Sequence, residues 1–192
     1  GRRACMTLRV AFVYPNPRAE LVERVAAGEV PDTSLLGQNH MAEHGVDAIV
    51  YDSRLRRTTM ADGLRHRVTW YGRELTLPWE LRDADVVVSP LATFLPLAAR
   101  LRRRPRVLVL SYHLVSAWER AGGARRRLLQ ASVGSAAGVA AVARAARDRL
   151  VERLGTDPRR THVAQLGVDE TWWRPLPPEH DGHVLTVGRD LA

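Results

Sequence analysis

Lysine is absent from this 192-residue chain, so its formal net charge of +8 is carried wholly by arginine. A basic surface of that kind attracts phosphate, whether on nucleic acid, on anionic lipid or on a nucleotide, and charge alone does not choose among them. The single cysteine, Cys5, cannot close an internal disulfide; this excludes a disulfide-stapled scaffold and suits a reducing cytosol. No apolar run approaches the roughly 18 residues of a membrane-spanning helix. The opening Gly1-Arg2-Arg3-Ala4-Cys5 lacks the apolar core of a signal peptide, so Met6 reads as the natural initiator and residues 1–5 as a leader or an added remnant. The expected location is therefore cytoplasmic, with a peripheral position at the inner membrane face as the variant. The excess of arginine and alanine suggests a GC-rich, bacterial genome. P-loop, G-x-G-x-x-G, G-x-S-x-G and paired-cysteine motifs are all missing, and the carboxylates form no acid–base pair for hydrolysis.

What is present is an alternation. With 45% hydrophobic and 26% charged residues, the composition is that of a globular chain long enough for one good-sized domain plus a fragment. Apolar runs at Arg9–Tyr14, Val46–Tyr51, Val68–Tyr71, Asp85–Ser89, Val107–Ser111, Gly138–Val142 and Thr161–Gln165 read as strands. Between them, the residues after Pro15 read as a long loop through Gly28 and Pro31. A helix capped by Asp32, Thr33 or Ser34 is expected to run to His44 and stop at Gly45. Phe94, Leu97, Ala98 and Leu101 keep helical spacing, Leu128, Leu129, Ser132 and Val133 share one side of another helix, and Arg144–Leu154 forms a third that ends at Gly155. Residues Asp52–Arg67 carry no clear period, and Gly72–Glu80 is hardly more legible. Strands without hairpin turns, alternating with helices, predict an α/β fold with a doubly wound parallel sheet. Ligands of such sheets bind beyond the carboxyl ends of the strands, which points to Pro15–Gly28, Asp52, Pro90, Tyr112-His113, Ala143 and Gly167.

Two patterns compete for attention. His40-Met41-Ala42-Glu43-His44 spells H-x-x-E-H and on an α-helix would set two imidazoles on one face for zinc. Gly45 ends the segment at once and no downstream glutamate stands as a further ligand, so it reads as the polar face of a surface helix. The triple-arginine runs lack helix-turn-helix, zinc-finger or aromatic-interleaved context, which argues against nucleic acid. Arg125-Arg126-Arg127 before Leu128-Leu129 raises the alternative of docking to an anionic membrane.

Near the end, Gly167-Val168-Asp169 is followed by Trp172-Trp173-Arg174-Pro175, a proline-rich linker and a new apolar strand closing in Val187-Gly188-Arg189. Taken with RVAFVYP, VLVLSYH and GVAAVARAARDRL in that order, Met6–Ala192 resembles GT-B glycosyltransferases of the large group-1, family 4, class. The resemblance covers that family's Rossmann-like N-terminal domain (residues 6–174), then the linker and first strand of a truncated C-terminal domain (residues 175–192).

The resemblance implies transfer of a sugar from a nucleoside-diphosphate donor to an acceptor, with retention and without a metal or other cofactor. It implies an acceptor-side N-terminal domain and a C-terminal domain that holds the nucleotide with a glutamate pair. No nucleic-acid partner is implied. His113 matches the family's histidine beside the transferred sugar, where an imidazole can hydrogen-bond a hydroxyl or developing charge. Arg189 matches the arginine that clamps the donor diphosphate, a task suited to a planar guanidinium. Gly28 lies in the first strand–helix loop, which approaches the donor phosphates, although the family's Gly-Gly pair is missing here. Asn16, Tyr112, Gly167 and Asp169 fall on the acceptor side or the hinge, and Ala143 stands where many relatives carry serine. The same fold without catalysis, a binding module, and a basic membrane- or nucleic-acid-associated protein are the alternatives. The 192-residue chain alone is expected to be inactive.

Overall fold

The structure is a computed structural model and describes residues 7–14, 18–52, 71–90, 94–165, 167 and 172. Six parallel strands form one sheet: β1 (Leu8–Tyr14), β2 (Val46–Asp52), β3 (Val86–Ser89), β4 (Arg106–Ser111), β5 (Gly138–Ala141) and β6 (Thr161–Val163). Their order is β2-β1-β3-β4-β5-β6, so the winding reverses at β1, which pairs β2 on one side and β3 on the other. This is the doubly wound, Rossmann-like sheet that the alternation of apolar runs predicts. The strands are apolar because both faces are covered: Ala11, Val13, Val87, Val107, Val109, Val139 and Ala141 enter one core, and Val10, Phe12, Tyr14 and Val88 enter the other.

The two layers are unequal. The first core is packed by α2 (residues 71–80), α3 (Leu95–Arg102), α4 (Leu114–Glu119), α5 (Gly123–Ser135) and α6 (Arg144–Leu154). Leu77, Leu95 and Leu150 are fully buried there, and each such leucine stabilises the fold by about 1.5–3 kcal/mol. The second core is closed mainly by Leu36, Met41 and the sheet's own side chains. On that side lie α1 (Ala19–Ala26), which buries no residue completely, and two 3-10 segments, Asp32–Leu35 and Gln38–His44. A thinly covered face beside strand ends leaves room for a ligand.

Several sequence expectations need correction. The stretch after β1 is not a continuous loop: Leu21, Val22 and Val25 form an apolar stripe on α1, and Gly28 (φ 70°) terminates it. The expected helix over residues 32–44 is two 3-10 segments, because Leu36 and Gly37 both adopt left-handed φ (58° and 77°) and break the hydrogen-bond ladder. Gly45 does stop the second segment, with φ 71°. Of the expected strand Val68–Tyr71, residues 68–70 lie outside the described residues, and Tyr71 opens α2. On α3 the core takes Leu95, Pro96 and Ala99, whereas Leu101 is 80% exposed. The stripe read from the sequence is thus the outward face. Asp52–Arg67 falls almost wholly outside the described residues.

Helix α2 is tied down at both ends. Tyr51 donates to Glu80 and receives a hydrogen bond from Arg73, whose guanidinium lies 5.1 Å from the Tyr51 ring centroid. Glu74, fully buried, accepts the Phe94 backbone N–H and so anchors the entrance to α3.

Candidate functional site

A cleft of about 710 Å³ opens beyond the carboxyl ends of β4, β5 and β6, under the segment that joins α1 to β2. Its floor is Leu110 of β4 and Tyr112 just after that strand, with Ala140 of β5 and Val142 just beyond it. Ala164, Gln165, Gly167 and Trp172 make one wall, and Val25, Gly28, Leu36 and Gly37 contribute to the other. Strand β5 lies close to β4 at Gly138, where a Cβ would sit 3.0 Å from Leu108 Cδ1.

The wall over the cleft hangs from β1. Tyr14, at the end of that strand, is 2% exposed and donates a 2.7 Å hydrogen bond to the Leu35 carbonyl. Burial pushes its phenol well above the ordinary range, so Tyr14 remains an O–H donor at any working pH. Its ring stacks on Phe12 at 6.5 Å, and the Arg18 guanidinium stands 5.9 Å from its centroid. Tyr112, half-buried in the floor, is likewise raised by burial.

The polar edge of the cleft is a cluster on the 3-10 segments. His40 Nε2 lies 2.7 Å from Asp32 Oδ2, and its Nδ1 lies 3.0 Å from Glu43 Oε1. Asn39 Nδ2 donates to the same Asp32 oxygen at 3.0 Å. The hydrogen bond to Glu43, then that to Asp32, holds the imidazole above its ordinary range, because both favour the ring with two N–H donors. Asn39 lines the cleft, and its Oδ1 is buried without a protein hydrogen-bond partner. The H-x-x-E-H pattern finds a different use here. Four residues on a 3-10 helix turn through about 480°, which carries His44 away from the face of His40. Glu43 is meanwhile engaged by His40. Among the described residues, no group of three or more histidine, cysteine, aspartate or glutamate side chains is disposed to hold a metal.

Of the residues singled out from sequence, Gly28, Tyr112 and Gly167 line this one cleft. His113 follows Tyr112 but stands exposed as the N-cap of α4, its carbonyl accepting from Ala117 N–H, and it does not line the cleft. Asn16, Asp169 and Arg189 lie outside the described residues, as do residues 1–5 and 173–192. Sequence reasoning missed Asn39 and Trp172 and gave Asp32 and His40 other uses. The available signal was the dense polar string Asp32, Gln38-Asn39-His40 and Glu43 beside a glycine.

A doubly wound parallel sheet with a cleft at its strand ends defines a Rossmann-like α/β domain. Residues 10–172 match the model of Glycosyltransferase Family 4, and the chain belongs to that family. Among solved structures, a crystal structure of Glycyrrhiza uralensis UGT73P12 complexed with glycyrrhetinic acid 3-O-monoglucuronide is similar over 87% of this chain and 50% of that chain, at 10% identity and a TM-score of 0.46. The chain thus spans about half the length of that relative. No curated protein sequence matches. Among the described residues, no helix is long and apolar enough to cross a membrane.

Proposed function

We propose that the chain forms the acceptor-side domain of a retaining GT-B glycosyltransferase that uses a nucleoside-diphosphate sugar and no metal, acting in the cytoplasm. The observation that carries this reading is the family match over residues 10–172, which encloses the whole cleft. The acceptor sits over Leu110, Tyr112 and Ala140, with its hydroxyls met by Asp32, Asn39 and His40. In the transfer, the bond from the anomeric carbon to the diphosphate oxygen breaks. A bond to the acceptor oxygen forms on the same face, and the acceptor proton leaves with the diphosphate. Most of the acceleration must come from fixed donors facing the leaving diphosphate. Arg189 and a second, nucleotide-holding domain supply those donors, His113 steadies the sugar, and Gly167 and Asp169 shape the hinge between the domains. By itself the 192-residue chain then binds acceptor without transferring sugar.

The test joins this chain to the C-terminal domain of a family 4 enzyme and measures transfer from labelled nucleoside-diphosphate sugars. The fusion is expected to transfer, the chain alone is not, and His113→Ala is expected to lose most of the rate while staying folded. A folded fusion inert toward every donor contradicts the reading; an unaffected His113→Ala fusion removes that residue's role alone.

A further inference from the structure

The outward face of α2 and α3 is apolar where a surface helix pair is ordinarily polar. Leu75 (49% exposed) and Trp79 (51%) stand at i and i+4 on α2, and Leu101 (80%) stands beside them on α3. Together with Phe94 and Leu97 they line a groove of about 660 Å³ between the two helices. These side chains are not needed for the fold, because the same helices already give Leu77, Leu95 and Ala99 to the core.

The rim of this face is cationic. Arg102 lines the groove, Arg82 and Arg104 are exposed at the ends of the two helices, and among the described residues none of the three is in an ion pair. Arg100 and Arg103 lie on the opposite side of α3, where Arg100 donates to Ser135 Oγ. The Arg102 guanidinium lies over the Trp79 ring, 3.0 Å from its centroid. The neighbouring acids are mostly committed: Glu80 to Tyr51 and Arg73, and Glu74 to the Phe94 N–H in the core. Beyond the end of α2, Asp83 and Asp85 are exposed carboxylates, and Asp85 accepts the Arg9 backbone N–H.

We infer that this α2–α3 face docks the protein on an anionic phospholipid surface. The layering fits a bilayer interface: leucines reach into the acyl boundary, an amphipathic tryptophan sits at headgroup depth, and guanidinia meet lipid phosphates. A second copy of the chain is a poor occupant, because pairing this face with itself brings two arginine clusters together. The location also fits. Trp79, Leu101 and Arg102 lie where α2 and α3 run down to β3 and β4, at the amino edge of the sheet, so a docked molecule keeps its strand-end cleft open. The arginine-leucine pattern at the start of α5 does not offer such a face. Leu129 is in the core, and Arg126 turns back over Trp118, donating to the carbonyls of Trp118 and Glu119. The docking inference is independent of the transfer reading, and neither fails with the other.

The test is flotation of the 192-residue chain with vesicles of phosphatidylcholine, alone or mixed with phosphatidylglycerol, across a salt series. Binding is expected only to the anionic vesicles and to weaken steeply with salt. Leu101→Asp and the pair Arg102→Glu/Arg104→Glu are each expected to weaken it on the order of tenfold or more. Arg125→Glu/Arg127→Glu serves as the control and is expected to move it far less. Circular dichroism of each exposed-site variant checks that it is folded. Equal binding to neutral vesicles, no binding at low salt, or equal loss in the α5 control overturns the inference. So does a concentration-dependent dimer that Leu101→Asp abolishes, because the face is then an interface between copies.

Discussion

The Tyr14 hydroxyl, at the end of the central strand β1, holds the Leu35 carbonyl at 2.7 Å and thereby fixes the wall of the cleft to the sheet. Both residues are buried, so neither partner can turn to water if the other is removed. Tyr14→Phe keeps the ring and its stacking but orphans the carbonyl. The expected cost is about 1–3 kcal/mol, read as a lower urea midpoint with unchanged slope. A midpoint equal to that of the parent protein would show that the wall holds itself.

The His40 cluster gives a pH signature. Its folded-state pKa is raised from the ordinary 6.5, mainly by Glu43 and then by Asp32. A raised value means that the cluster's contribution to stability is complete below about pH 6.5 and is lost as pH rises through the folded pKa. NMR titration of the His40 ring is expected to give a midpoint above the ordinary value, and Glu43→Gln is expected to lower it. A midpoint unmoved by Glu43→Gln contradicts the assignment.

Glu74 should matter more than its helix-surface sequence context suggests. It is fully buried and accepts the backbone N–H that opens α3. Glu74→Ala leaves that N–H without its acceptor and opens a void, for about 2–4 kcal/mol. Glu74→Gln, which keeps an acceptor oxygen, is expected to cost clearly less. Thermal unfolding of the two variants side by side distinguishes them.

Gly28 separates a helix stop from a phosphate contact. It has φ 70°, and nothing lies within 4 Å of the Cβ it lacks. Gly28→Ala is therefore expected to cost about 1–2 kcal/mol through backbone strain alone. Gly28→Asn, which tolerates the left-handed region, is expected to cost less and to leave transfer by the fusion enzyme intact. Loss of transfer without loss of stability in Gly28→Asn would restore a donor-contact role.

The sheet was legible because its strands are buried on both faces: runs such as Val107–Ser111 and Gly138–Val142 admit little else, and Gly155 marks the end of α6 as expected. Helix α3 was located by the spacing of its apolar residues, but the residues it buries are Leu95, Pro96 and Ala99. A stripe such as Phe94, Leu97, Ala98 and Leu101 records which residues share a face and does not record which way that face points. The segment over residues 32–44 was misjudged for a different reason. A left-handed Leu36 carries no sequence signal, since what holds it there is tertiary: its own packing on the second core and the Tyr14 bond to the neighbouring Leu35 carbonyl. The polar edge of the cleft was hidden by the same break, because Asp32 meets His40 only once the chain has turned at Leu36 and Gly37.

In the proposed transfer reaction the strand-end cleft receives the acceptor. Steady-state kinetics of the fusion enzyme with His40→Ala and Asp32→Asn test it most directly, with donor and acceptor varied separately. Both variants are expected to raise the acceptor KM on the order of tenfold, the loss of about one charge-assisted hydrogen bond, with the donor KM unchanged. A rise in the donor KM with the acceptor KM unmoved would contradict it.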